Sequence, residues 1–257
     1  MMKPKKWWKR KRLTIPLGSF LFLMAFAGGM FSCQPKFLLH ELADLNPEVL
    51  FYVETEQKAL ALTIDDAPSR ELSPAVLDLL EKHNIKATFF IIGNQVSGNE
   101  DLIARMKADG HELGNHLVAD VPSISLSDEE FRENLLAVEK LIGPLGPTKW
   151  CRPASGWFTS DMVEIAADLG YRLCLGSLYP FDNQVRNAAL LHQAVMARVS
   201  PGAVLILHEG GSKRDYVLPL LEELIPDLLD QGYSFLTVSQ LQALQQDSPS
   251  LPDARHP

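Results

Sequence analysis

From residue 58 to residue 238 the chain alternates between two hydrophobic patterns. The apolar runs "KALALTI" (58–64), "KATFFII" (86–92), "TKWCRP" (148–153), "YRLCLGS" (171–177), "AVLILHE" (203–209) and "YSFLTV" (233–238) have strand length and end in turn residues. Between them lie longer stretches with apolar residues at i, i+3 and i+4: "SPAVLDLLEKHN" (73–84), "NEDLIARMKADG" (99–110), "SLSDEEFRENLLAVEKLIGPLG" (125–146), "TSDMVEIAADLG" (159–170), "NAALLHQAVMARVSPG" (187–202) and "DYVLPLLEELIPDLLDQG" (215–232). Ser73 with Pro74 predicts an N-cap and first helical residue, Ser127 with Glu130 predicts a capping box, and Gly110 predicts a helix stop. Strands and helices in repeated alternation predict a parallel sheet covered by helices, as an open sheet or a (β/α) barrel.

Such folds carry their functional residues at the carboxyl ends of strands. That rule selects Asp65 and Asp66 after the first run, Arg152 after "TKWC" and His208 after "AVLIL".

The segments outside this alternation differ in composition. The first twelve residues, "MMKPKKWWKRKR", hold seven of the 24 Lys and Arg and no acid, and residues 13–33, "LTIPLGSFLFLMAFAGGMFSC", carry no charge. A basic head before an apolar stretch reads as a targeting segment. Three fates are open to it: an ordinary cleaved signal, an uncleaved membrane anchor, or a lipoprotein signal with lipid on Cys33. All three export the remainder. Residues 34–57 read as an approach to the domain, 58–242 as the domain itself, and 243–257 as a disordered, proline-rich tail. From residue 33 onward 17 Lys and Arg face 32 Asp and Glu, an acidic balance that argues against nucleic acid as a partner. Cys151 and Cys174 sit in apolar runs and read as buried thiols, with a disulfide open only if their backbones approach. Oligomeric state has no signature in the sequence.

The chemistry gathers around three acids and an imidazole. In "GHELGNHLVAD" (110–120) His116 and Asp120 are four apart, the spacing of one face of a helical turn. With Asp66 they supply one imidazole and two carboxylates. A divalent ion on three protein groups keeps a position open for water or substrate, as catalytic sites do. Asp65 is then free to handle a proton, and the cation relieves the repulsion between the neighbouring aspartates. His111 reads as a structural histidine at a turn.

"LTIDDAP" (62–68), "GHELGNHLVAD", "CRPASG" (151–156) and "LILHEG" (205–210) occur in the order and spacing of the polysaccharide deacetylases, the NodB-homology domain or carbohydrate esterase family 4, and the chain resembles that family from residue 58 to about residue 242. The resemblance implies a distorted (β/α) barrel in a single domain that removes acetyl groups from N-acetylated sugars with a divalent metal, zinc or cobalt. It implies Asp65 as general base, Asp66 as first metal ligand, His116 as second, and Asp120 where a second histidine is usual. Arg152 corresponds to the residue that holds the base, and the Ser155 N–H to an oxyanion donor. Leu205 corresponds to the lining of the acetyl pocket, His208 to the general acid, and Asp182 in "YPFDNQ" to the carboxylate orienting it. Trp157 and Phe158 read either as sugar-stacking faces or as core.

Four departures from the pattern alter these expectations. Ile64 and Ala67 stand for the usual Phe and Gly, and Leu117 for a hydroxyl residue that braces the metal loop. Asp120 for histidine shortens the reach to the ion and lowers the net charge of the site, which admits manganese beside zinc and cobalt. The expected substrate is an N-acetylated glycan outside the cytoplasm, such as peptidoglycan, a chitin-like oligomer or an exopolysaccharide. O-acetyl ester or other amide hydrolysis on the same scaffold, and a tethered glycan-binding protein without turnover, are the alternatives.

Overall fold

The structure is a computed structural model and describes residues 36–210 and 214–247. The targeting segment, Cys33 and the tail from residue 248 lie outside the described residues. Helix α1 spans Lys36–Leu45, and the alternation then runs β1 Ala59–Ala67, α2 Ser73–Lys82, β2 Thr88–Ile91, α3 Glu100–Ala108, β3 Glu112–Asn115, α4 Asp128–Ile142, β4 Trp150–Cys151, α5 Ser160–Asp168, β5 Arg172–Leu173, α6 Ala188–Met196, β6 Ala203–His208, α7 Val217–Asp230, β7 Ser234–Leu236 and α8 Val238–Asp247. Among the described residues no helix is long and apolar enough to cross a membrane.

All the strand pairings are parallel, in the order β5-β4-β3-β2-β1-β6, with β7 beside the first half of β1. Parallel neighbours need a crossover, which the intervening helices provide. Bridges Leu50↔Cys174 and Leu178↔Leu205 carry the sheet from β5 round to β6, so that it curls into the distorted barrel the resemblance implies. Leu50 and Val53, in the segment read as an approach, are therefore part of this core, and α8 extends five residues past position 242.

Every residue of β1 is buried, which is why its sequence lacks the alternation of a half-exposed strand. The alternation is instead of size. Leu60, Leu62 and Ile64 pack with Val76, Leu77 and Leu80 of α2 and Leu220, Leu221 and Leu224 of α7. Ala59 and Ala61 face the other way, into a tighter cluster with Phe90, Trp150, Cys174 and Val204. β3 was not legible as a strand, because Gly114 interrupts its short apolar pattern. A Cβ at Gly114 would lie 2.6 Å from the Phe90 ring, so the glycine is what lets β3 sit against β2.

The capping box of α4 forms as expected: Ser127 Oγ accepts the Glu130 N–H while the Glu130 carboxylate accepts the Ser127 N–H. Ser73 does not cap α2. Leu72 occupies that position, and Ser73 Oγ instead accepts the Ser69 N–H at 2.8 Å and donates to Glu209.

Candidate active site

On a regular strand neighbouring residues point to opposite faces, so Asp65 and Asp66 could not serve one site. The end of β1 is irregular. Its register with β2 shifts between Ile64 and Ala67, and Asp66 has φ 61°, a left-handed conformation rare outside glycine. The kink keeps Asp65 on the face of Ala59, Ala61 and Thr63 and turns Asp66 back toward the same cleft, where its Oδ1 stands 3.6 Å from His116 Nε2. Leu117 (φ 62°), Ser155 (φ 68°) and Phe181 (φ 64°) share that conformation, each beside a predicted site residue or itself one. Backbone strain of about 1 kcal/mol or more per residue is thus concentrated in the loops that bear the site.

Asp65 is 2 % exposed and its Oδ1 meets Arg152 Nη1 at 2.6 Å. Burial alone would raise this carboxyl, but Arg152, with His116 and His208, outweighs it and holds Asp65 below the usual carboxylate range. The guanidinium is itself pinned on several sides. Nη1 donates to Thr63 Oγ1 at 2.8 Å, Nε donates to the Cys174 carbonyl at 2.8 Å, and the group lies 4.0 Å over the Phe90 ring. Thr63 and Phe90 escaped the sequence reading, since nothing local marks a strand residue that contacts another strand's arginine.

β6 runs in register with β1 and sets Asp65 opposite His208. His208 Nε2 is 3.9 Å from Asp65 Oδ2, and Nδ1 is 2.9 Å from Asp182 Oδ1. Asp182 is fully buried; its Oδ2 accepts the His208 backbone N–H at 2.8 Å, and its carbonyl accepts the Tyr216 hydroxyl. Burial would lower the imidazole pKa, but the Asp182 hydrogen bond and charge, with Asp65 and Asp66, raise it. The two shifts run in opposite directions across one cleft, Asp65 toward its carboxylate and His208 toward its imidazolium, the split that acid–base catalysis requires.

Leu205 does not share this face. It packs in the cluster with α2 and α7, as alternation from His208 dictates, and the half-buried neighbour on the histidine's side of β6 is Ile206. Ser155 and Trp157 follow β4 on an exposed loop, and Trp157 is 57 % exposed, so it is not core. His111 accepts the Ala87 N–H at Nδ1, the structural role expected of it.

Two of the three predicted metal ligands come together. His116 Nδ1 lies 2.7 Å from the Arg152 carbonyl, which can only accept; Nδ1 therefore carries the proton and Nε2 keeps its lone pair. Asp66 Oδ1 is buried without a hydrogen-bond partner, as a ligand awaiting an ion would be. Burial, seconded by Asp65 and Asp120 and opposed by His116 and His208, raises the Asp66 carboxyl. Asp120 is placed differently: residues 118–120 form a bend rather than a helical turn, and Asp120 is exposed. Among the described residues no group of three His, Cys, Asp or Glu side chains is gathered closely enough to hold an ion. The donors thus fit a divalent ion at Asp66 and His116 and lack the expected third group. The loop brace that Leu117 could not supply comes from Asn115, whose Oδ1 accepts the Leu117 N–H at 3.0 Å while its Nδ2 donates to the Leu135 carbonyl.

Glu209, next to His208, is 1 % exposed. Ser73 Oγ donates to its Oε1 at 2.6 Å, its Oε2 has no partner, and burial pushes its pKa up to about 8.

The polysaccharide deacetylase family model matches residues 52–174. The chain is 31% identical over 201 residues to a peptidoglycan-N-acetylglucosamine deacetylase of Bacillus cereus, an alignment covering 75% of this chain and 92% of the relative. It is 32% identical over 192 residues to PgdA, a peptidoglycan-N-acetylglucosamine deacetylase of Listeria monocytogenes, covering 72% of this chain but only 39% of that longer protein. Among solved structures it resembles BA3943 of Bacillus anthracis, described as a carbohydrate esterase family 4 pseudoenzyme, with a TM-score of 0.70 and 28% identity over 76% of this chain and 68% of that one. With the curled parallel sheet and the acids at its strand ends already in place, these likenesses establish that the chain belongs to the polysaccharide deacetylase family.

Proposed function

We propose that the protein is a hydrolase that removes N-acetyl groups from a glycan outside the cytoplasm. One observation carries the reading: Asp65, held by Arg152 at 2.6 Å, faces His208 at 3.9 Å, and His208 is backed by Asp182 at 2.9 Å. Amide hydrolysis needs a proton taken from water and a proton given to the departing amine. Asp65 takes the first, and Arg152 keeps it ionised for that purpose. His208 gives the second, and Asp182 keeps it charged and aimed. The Ser155 N–H, on its left-handed residue, is the proposed donor to the developing oxyanion. Asp66 Oδ1 and His116 Nε2 would hold a divalent ion, zinc or cobalt, or manganese if Asp120 swings in; when bound it would supply Lewis-acid polarisation of water and carbonyl. Ile206 is the β6 residue on the side of the acetyl group, and the exposed Trp157 offers a face for a pyranose ring. The named relatives support peptidoglycan or a similar N-acetylglucosamine polymer as substrate, and the basic head with its apolar stretch supports export, by membrane anchorage, lipid on Cys33 or a cleaved signal.

A second reading, glycan binding without turnover, is favoured by the exposed Asp120 and by the likeness to a pseudoenzyme. Acetate release separates the two. Peptidoglycan, chitooligosaccharide and O-acetylated xylan are offered with zinc, cobalt or manganese, and Asp65→Asn is assayed alongside. Acetate from the N-acetylated glycans, reduced about 10²- to 10⁴-fold in Asp65→Asn, is the expected result. Release from the ester alone would make the protein an esterase. Retention of a glycan with no release under any metal would establish the second reading.

A further inference from the structure

Arg214 has no part in the chemistry above, yet it is the second guanidinium of the cleft. It lies between β6 and α7, with Nη2 3.8 Å from Asp66 Oδ2 and Nη1 3.8 Å from Asp182 Oδ2. Two further contacts fix its direction: Nε donates to the Gly210 carbonyl at 2.7 Å, and Nη1 donates to the Tyr216 hydroxyl at 3.3 Å. Gly210 in turn rests on Asp66. A Cβ at position 210 would stand 2.2 Å from Asp66 Cβ, so only glycine leaves room for Asp66 beside the backbone that holds Arg214 Nε.

Asp66 is therefore shared. Its Oδ1, unpartnered, looks toward His116 Nε2, while its Oδ2 looks toward a permanent positive charge. Asp120 is exposed and acts on Asp66 only as a nearby charge, so among the described residues no third ligand stands at the ion site to offset Arg214 directly. We propose that Arg214 is the resident cation of the site and sets its affinity for a divalent ion, weakening by charge repulsion an ion held on Asp66 and His116. The inference rests on the reading of those two residues as ligands. In the ion-free protein the same guanidinium neutralises the buried Asp66–Asp182 side of the cleft, so the site is held together without metal. A divalent ion on Asp66 would then meet a like charge across one carboxylate, where low exposure leaves little screening.

The test reads binding rather than turnover. Zinc chloride is titrated calorimetrically into the full chain in detergent, as wild type, Arg214→Gln, Arg214→Met, Arg214→Lys and Asp66→Asn. The expected result is zinc binding about tenfold or more tighter in both uncharged variants, binding within about threefold of wild type in Arg214→Lys, and none in Asp66→Asn. Unchanged or weaker binding in the uncharged variants, with Asp66→Asn still abolishing it, would overturn the role of Arg214 and leave Asp66 a ligand. Zinc binding indifferent to Asp66→Asn, or absent from wild type and uncharged variants alike, would overturn both readings. Melting curves without zinc identify an uncharged variant that fails to fold, and the other then carries the comparison.

Discussion

Replacing Glu209 by Gln should change how stability depends on pH. The carboxyl titrates at 4.5 in the unfolded chain and at about 8 in the fold, because burial disfavours its charge and Oε2 has nothing to bond. Between those values the native state keeps a proton that the unfolded state releases. Stability from this group is therefore full below pH 4.5 and is lost as pH rises to about 8, at roughly 1.4 kcal/mol per pH unit. Across the whole interval the loss is about 5 kcal/mol, comparable to the entire stability of many domains. Glutamine preserves the acceptor for Ser73 and cannot ionise. The assay is urea unfolding of wild type and Glu209→Gln from pH 5 to pH 8.5. Asp65, Asp66 and His208 are common to both proteins, so what they contribute apart from the direct coupling of Asp66 to Glu209 cancels in the difference. The variant's advantage should grow by several kcal/mol as pH rises. Two parallel stability curves would refute the argument, because Glu209 would then be ionised or hydrated in the fold.

Three further outcomes follow from the same geometry. Arg152→Met should destabilise the fold by about 3–5 kcal/mol in chemical denaturation, since it strands the buried Asp65 charge; a loss under about 1 kcal/mol would mean that Asp65 is not buried as a carboxylate. Asp120→Ala should leave zinc affinity within about threefold of wild type, whereas Asp120→His, with its longer reach, should tighten it about tenfold or more by calorimetry, and equal effects of the two would contradict the placement of Asp120 outside the ion's ligands. Gly210→Ala should weaken zinc binding and lower stability by about 1–3 kcal/mol, because its Cβ would lie 2.2 Å from that of Asp66, and an unperturbed variant would show that the two residues do not touch.

The sequence by itself determined whatever depends on neighbours in the chain. Strand and helix periods, the Ser127 capping box and the parallel alternation are local patterns, and they place Asp65, Asp66, Arg152 and His208 at strand ends on one side of the sheet. Motif order carried the family resemblance, and with it the pairing of His208 with Asp182. What failed were inferences that assumed regular local geometry. His116 and Asp120 have helical spacing, but the strand Glu112–Asn115 runs into a left-handed Leu117 and a bend, which leaves Asp120 in solvent. Leu205 is three residues from His208, and an odd separation on a strand puts it on the opposite face. Ser73 looked like a cap and is instead the partner of a buried glutamate far along the chain. The sequence assigned the two adjacent aspartates to one site, but only the tertiary structure shows how a strand can do this: Asp66 is left-handed where the β1–β2 register shifts, with Gly210 leaving room beside it. Thr63 and Arg214 belong to the site for a similar reason. Each is placed by contacts between segments distant in sequence, and no period along the chain encodes such contacts.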